Sequence, residues 1–160
     1  SQTAAVAMPA QALPATSTQP NNPALEQKEY LAANKLMMKG DYVRATTALQ
    51  NLLSRYPNGQ YAGSSHYWLG EIYLKQGQPD LAIPEFNTVI MNYPKNAKVP
   101  DATLKLGFAY YDQGDMKKAR ALLIKVTKQY KNTTVAQLAL ARLDDMKQQN
   151  KAASTTSGGR

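Results

Sequence analysis

Apolar side chains recur in the middle of the chain at steps of three and four residues. One run contains Trp68 and Ile72, and a second run, which follows after Gly77, contains Phe86 and Val89. Because a helix has about 3.6 residues per turn, such steps place the side chains on one helical face. Gly77 suits the left-handed conformation that commonly follows the last residue of a helix. The pattern predicts two amphipathic helices joined by a tight turn.

The same pattern repeats along the chain at a constant interval. Gly40, Gly77 and Gly114 are separated by 37 residues each. The same interval relates three further sets of residues: Tyr56, Tyr93 and Tyr130; Ala45, Ala82 and Ala119; and Leu36, Tyr73 and Tyr110. A fixed period of this length is typical of stacked supersecondary units. The predicted fold class is therefore an all-α solenoid of three helix–turn–helix repeats followed by a C-terminal capping helix.

The period also sets the predicted domain boundaries. The repeat domain covers 25–149, with units at about 25–60, 61–97 and 98–133 and a cap at 134–149. Residues 1–24 carry no charge and show no apolar period, so we expect a disordered Ala/Pro/Gln-rich linker there. We expect a second disordered segment at 150–160, which is rich in small and hydroxyl side chains.

The middle unit resembles the tetratricopeptide repeat (TPR), whose pattern is W-x2-L-G-x2-Y, then A-x3-F, then P. The matching residues are Leu69, Gly70, Tyr73, Ala82, Phe86 and Pro94. Two features depart from the pattern: His66 occupies the tryptophan position, and the period is three residues longer than the usual 34 or so. In addition, Pro84 should kink the second helix of this unit or remove one of its backbone hydrogen bonds.

A narrower resemblance rests on the 37-residue period, the Tyr-Pro unit ends, the run Tyr67-Trp68-Leu69-Gly70 and the Pro/Ala/Gln-rich leader. Together these are similar to the C-terminal domain of the family of the Tol-Pal system protein YbgF, also called the cell-division coordinator CpoB. The resemblance implies a periplasmic, signal-directed protein that binds TolA and links envelope constriction to the peptidoglycan-synthesis machinery. It also implies a homotrimer formed through an N-terminal coiled coil that this sequence does not contain. A BamD-like outer-membrane assembly protein, which shares Tyr-Pro-ended repeats, is the alternative.

The amino-acid composition gives little support to a catalytic function. The chain has no cysteine and a single histidine, His66. That leaves one candidate base and none of the thiol ligands that metals favour. Asp144 and Asp145 are adjacent, so a helix points them about 100° apart and they do not form a carboxylate pair. We therefore expect no enzyme activity, no cofactor and no metal site. We also expect no membrane insertion, since no apolar run approaches about 18 residues.

A protein-binding groove is the better-supported hypothesis. In a tetratricopeptide stack the first helix of each pair lines the concave surface, and aromatic anchors there suit a partner segment. The predicted groove residues are Tyr30, Asn34, Met37, Tyr67, Trp68, Glu71, Leu74, Leu104, Lys105, Phe108, Tyr111 and Arg142. The alternative is that aromatic and apolar members such as Tyr67, Leu104 and Phe108 only pack between the first helices.

Charge adds a second candidate surface. The net charge is +8, and six basic residues with no acidic residue lie between Met116 and Lys131. The predicted convex basic patch consists of Lys117, Lys118, Arg120, Lys125 and Lys128. Such a run is either an ordinary solvated face or a site for an acidic partner or anionic envelope polymer. We do not expect nucleic-acid binding, because neither an aromatic stacking platform nor a helix-turn-helix pattern accompanies the charge.

Overall fold

A computed structural model describes residues 22–158 of the chain, and within that range every regular element is a helix. The seven helices are α1 (Pro23–Met38), α2 (Tyr42–Arg55), α3 (Ala62–Lys75), α4 (Pro79–Asn92), α5 (Val99–Gln113), α6 (Met116–Gln129) and α7 (Thr134–Ser157). The predicted all-α fold with three helix pairs and a terminal helix is confirmed. The linker expected at 1–24 lies outside the described residues up to position 21, and α1 already begins at Pro23.

The turns within the three pairs share one geometry. Gly40, Gly77 and Gly114 have positive φ angles of 77°, 71° and 91°. After each glycine, the next backbone N–H donates back to the carbonyl of Leu36, Tyr73 or Tyr110, at 3.0, 2.8 and 2.9 Å. This six-to-one hydrogen bond is the helix-ending motif that a left-handed glycine permits. Two of the sets related by the 37-residue interval, the glycines and Leu36, Tyr73 and Tyr110, are thereby explained as parts of one turn.

Side-chain caps fix where several helices start. Asp41 and Asp115 accept hydrogen bonds from the backbone N–H groups of Arg44 and Lys118, at 3.2 and 3.1 Å. An aspartate at this position satisfies an N–H group that has no partner inside the helix and also complements the helix dipole. The helix α4 instead begins with Pro79, whose missing N–H costs nothing at the first helical position.

The helices pack in chain order, each on the one before. The first helices of neighbouring units also meet, since α3 contacts α5 and α5 contacts α7, whereas α2, α4 and α6 make no comparable contact with one another in the described range. The first helices therefore form the inner side of the stack and the second helices its outer side. The interface of α2 with α3 is the least extensive of those between consecutive helices.

One local feature agrees with the sequence expectation and another differs from it. The helix α4 runs without interruption through Pro84, which has no N–H group and so leaves one helical backbone hydrogen bond unmade, and Thr88 Oγ1 donates to the Pro84 carbonyl at 2.9 Å. The tail expected to be disordered at 150–160 is helical as far as Ser157. Lys151 and two alanines favour a helix, and the hydroxyls of Ser154 and Thr156 donate to carbonyls one turn earlier, at 2.9 Å each. Periodic apolar residues are not needed for these exposed turns.

A buried carboxylate joins the first unit to the second. Glu26 of α1 is 2% exposed, and its Oε1 accepts a hydrogen bond of 2.9 Å from the backbone N–H of Tyr61, which precedes α3. The carboxylate also lies against Gly59, where an added Cβ would come within 2.1 Å of Oε1. Since no side chain of its own segment caps α3, Glu26 takes over that role from the neighbouring unit.

We expect Glu26→Ala to lower the free energy of unfolding by about 1–3 kcal/mol, because it leaves the Tyr61 N–H without its acceptor. Urea denaturation followed by circular dichroism measures the change. Gln27→Ala, on the exposed side of the same helix, is the matched control and should shift the midpoint little. Equal midpoints for Glu26→Ala and the native chain would contradict the proposed capping role.

Candidate protein-interaction face

The inner side of the stack begins with a cluster of linked aromatic rings. Tyr30 of α1 stacks on Tyr61 with ring centres 4.4 Å apart. The Tyr30 hydroxyl accepts a 2.8 Å hydrogen bond from the indole N–H of Trp68 on α3. Because each ring is held by a stack or a hydrogen bond to a different segment, the cluster presents a fixed surface and loses little side-chain entropy when a partner binds.

A lysine covers the next part of this cluster. The Lys98 Nζ, just before α5, lies 5.2 Å from the ring centre of Tyr67 and 4.9 Å from that of Trp68. These distances are within the range of attractive cation–π contacts. Tyr67 itself is 4% exposed, and burial, followed by the nearby charges of Glu71 and Asp101, raises the pKa of its hydroxyl far above the usual range. Tyr67 therefore stays neutral and acts as packing beneath Lys98.

An ion pair continues the face from α3 to α5. Glu71 is buried, and its Oε1 lies 3.0 Å from the Nζ of Lys105 on the next first helix. A buried carboxylate needs such a partner, since an unpaired one would cost several kcal/mol in desolvation. The pair therefore links α3 to α5.

The last third of the face is built around an arginine from α7. The guanidinium of Arg142 lies 4.2 Å from the ring centre of Phe108 and 4.8 Å from that of Tyr111, both on α5. The Tyr111 hydroxyl also donates to Gln149 Oε1 at 2.9 Å. The terminal helix thus completes the inner side as well as covering the core.

We call the inner face the set Tyr30, Trp68, Glu71, Lys98, Lys105, Phe108, Tyr111 and Arg142. The contacts above join its members in three groups, namely Tyr30 with Trp68 and Lys98, Glu71 with Lys105, and Phe108 and Tyr111 with Arg142. Glu71 is also only 7% exposed and is buried as the partner of Lys105; two further residues assigned to the groove from the sequence are corrected, since Tyr67 and Leu104 are 4% and 1% exposed and belong to the core. They occupy equivalent positions in their units, where the neighbouring helices cover them. Met37 and Leu74 are partly buried, and each packs against a buried cluster to which its own helix, α1 or α3, contributes.

Asn34 lies on α1 with a buried side-chain oxygen that has no hydrogen-bond partner among the described residues. It is partly buried and keeps its predicted place on a first helix.

Three contributors to the face were not found from the sequence: Tyr61, Lys98 and Gln149. Tyr61 and Lys98 directly precede α3 and α5, so counting positions along the helices misses both. Their spacing of 37 residues was the available signal, since it places both at the same point of successive units. Gln149 lies in the part of α7 that has no apolar period.

Outside this face, the single histidine makes structural contacts. His66 Nδ1 lies 2.6 Å from Glu85 Oε2, which ties α3 to α4, and its ring is 6.0 Å from that of Tyr93. In the described part of the chain no three His, Cys, Asp or Glu side chains are grouped as metal ligands would be. None of the described helices combines the length and apolar character needed to cross a membrane.

Comparison with known proteins agrees with this architecture. A family model described as an outer membrane lipoprotein (YfiO) matches residues 23–99, and a tetratricopeptide repeat model matches residues 101–133. Among solved structures, a fragment of MamA from Desulfovibrio magneticus RS-1 has a TM-score of 0.61 at 24% identity, over 87% of this chain and 76% of that one. The C-terminal TPR-containing domain of a Plasmodium falciparum FK506-binding protein has a TM-score of 0.58 at 17% identity, over 77% of this chain and 91% of that one. These structures are similar in fold.

Two curated relatives from Pseudomonas putida, both named cell division coordinator CpoB, are 47% identical over 64 residues. That stretch is 40% of this chain and spans 24% of the length of the relatives. Fold, turn geometry and repeat match together define a tetratricopeptide-repeat domain, a class of protein-interaction module. Over the matched 64 residues, the domain is similar to part of the CpoB proteins.

Proposed function

We propose that this domain is a periplasmic protein-interaction scaffold of the Tol-Pal envelope and cell-division system, and that its inner face binds a segment of a TolA-like protein. The supporting observation is the continuity of that face across four helices. Aromatic surfaces at Tyr30, Trp68 and Tyr111 alternate with the charged groups of Lys98, Lys105 and Arg142. Such a row offers apolar anchors and fixed charges to one elongated segment.

The rest of the family's role follows as part of the same proposal. A signal sequence would direct the full-length protein to the periplasm, and a coiled coil would assemble it as a homotrimer. Three copies of the inner face would then act together, which raises the effective concentration of each site once one is occupied. Contact with the peptidoglycan-synthesis machinery would use surfaces other than the inner face.

A second candidate function has its own support. The outer membrane lipoprotein model matches residues 23–99, which include the first two helix pairs. We therefore retain a BamD-like part in outer-membrane protein assembly as the alternative. In that case the partners are other assembly proteins and not a TolA-like segment.

Calorimetric titration of the chain with the periplasmic region of a TolA-like protein from the same organism tests the proposal. We expect saturable binding with one segment per domain, because the inner face is a single continuous surface. A parallel titration with outer-membrane assembly proteins tests the alternative. Heat of binding only in the second titration would overturn the Tol-Pal proposal and support the assembly role.

A further inference from the structure

The outer face of α6 concentrates positive charge. The cations are Lys117, Lys118, Arg120, Lys125, Lys128 and, just beyond the helix, Lys131, and all six are exposed. No acidic residue lies between Met116 and Lys131. Within the described residues, the only one of these cations with an ion pair is Lys118, which lies 3.8 Å from Asp115. The segment therefore accounts for most of the net charge of +8.

The repeat provides an internal comparison for this charge. Each α6 cation has an equivalent 37 residues earlier in or beside α4 and another beside or in α2. In the order given above, the α4 equivalents are Asp80, Leu81, Ile83, Thr88, Met91 and Pro94, and the α2 equivalents are Val43, Arg44, Thr46, Asn51, Ser54 and Pro57. Only Arg44 is a cation. Because two helices with the same place in the fold do without them, the cations of α6 are not required by the architecture.

The cations lie on the side of the helix that points away from the protein. Ala119, Leu123 and Val126 are buried against α5 and α7. At 100° per residue, Lys117 and Lys128 lie nearly opposite that buried side, on one line about 16 Å long. Ile124 lies on the same line between them and is 38% exposed. The exposed surface is therefore a cationic strip with an apolar centre.

We propose that this strip, the outer face of α6, docks the protein on an anionic phospholipid surface. It lies on the outer side of a curved stack, where a broad and nearly flat partner reaches all its cations at once. Five of its six cations are lysines, which act as point charges and lack the paired geometry that arginine offers to single carboxylates. These features favour a diffuse layer of phosphates over an acidic peptide. Cations near such a surface each add about fivefold to binding.

Flotation of the chain with lipid vesicles tests the proposal. We expect binding to vesicles of one part phosphatidylglycerol and two parts phosphatidylcholine at low salt. Binding should be absent with phosphatidylcholine alone and should fall steeply as salt is raised. The triple variant Lys117→Gln, Lys125→Gln, Lys128→Gln should lower the partition coefficient at least tenfold. It leaves Lys118, which lies 5.2 Å from the ring centre of Tyr110, in place.

The matched control is Lys39→Gln, Lys75→Gln, Lys147→Gln, which removes the same charge from exposed positions outside α6. It should retain most of the vesicle binding. An equal loss in both triple variants would show that net charge, not the α6 strip, attracts the protein. Failure of the native chain to bind anionic vesicles would also overturn the proposal, and retention on immobilised poly-glutamate would then identify an acidic protein as the partner.

Discussion

Replacing Gly70 by leucine is expected to unfold the repeat domain at temperatures where the native chain is folded. A Cβ at Gly70 would lie 2.6 to 2.8 Å from three ring carbons of Phe86, which is fully buried between α3 and its neighbours. Overpacking a core costs about 1–3 kcal/mol for small insertions. A leucine adds three more carbon atoms at a point where the first already overlaps a ring. The two helices of the middle unit would have to separate.

The equivalent residue of the next unit gives a graded comparison. A Cβ at Gly107 would lie 3.0 to 3.2 Å from the side chain of Leu123, which can turn about its own bonds. Alanine also favours a helix by about 1 kcal/mol over glycine. We therefore expect Gly107→Ala to be nearly neutral and Gly70→Ala to lower the melting temperature by several degrees. Gly107→Leu should still be clearly destabilising.

Thermal melting followed by circular dichroism measures all four variants. Gly158→Ala is the control, because a Cβ there meets only the Ser154 carbonyl, at an ordinary 3.6 Å. The close approach of α3 to Phe86 would be wrong if Gly70→Ala had the same melting temperature as the native chain. It would also be wrong if Gly70→Ala lowered the melting temperature no more than Gly107→Ala does.

The largest expected effect on binding comes from Tyr30→Ala combined with Tyr111→Ala. The two residues lie near opposite ends of the inner face, on α1 and α5. Truncating an aromatic anchor commonly costs about 2 kcal/mol or more, which is about thirtyfold in affinity. We expect the double variant to show no measurable binding to a TolA-like segment. Tyr67 is unsuitable for this test because it is buried, so its loss would affect folding as well.

Two controls keep this result interpretable. Removing Tyr30 takes away the acceptor of the Trp68 indole N–H, so the melting curve of the variant must show that it is folded at the temperature of titration. The triple lysine-to-glutamine variant of α6 should keep its affinity for the segment, since those lysines lie on the opposite side of the stack. The reverse outcome, with binding lost in the lysine variant and kept in the tyrosine variant, would move the site to the outer face.

Much of the fold could be predicted because its information is local. The period, the left-handed glycines and the terminal tyrosines act within a few residues of where they stand, so the pattern alone located the helix pairs. Exposure at the inner face depends instead on neighbouring units. Tyr30, Tyr67 and Leu104 occupy equivalent positions, yet only Tyr30, in the first unit, remains partly exposed. A pattern that treats the units as identical cannot show that difference.

The same reasoning explains what the sequence missed. Lys98 precedes its helix and reaches back over the rings of the preceding unit, a contact that depends on how two units are oriented. The end of α7 depends on no neighbouring unit, since the helix continues beyond Met146, its last buried residue, as exposed turns. The apolar period of the sequence predicts neither feature.

First helices contact one another, whereas the second helices make no comparable contact with each other in the described range. Successive units are therefore closer together on the inner side of the stack than on its outer side. Small rotations at successive joints add up along such a stack, so its arc can tighten or open while each unit keeps its own core. The joint between α2 and α3 is the least extensive, and beside it Glu26 and Tyr30 of the first unit accept hydrogen bonds from the second unit. A partner segment bound along the inner face would set the curvature of the stack, because it would occupy the side on which the units are closest together. A load that pulled the two ends apart would open the arc at this joint first.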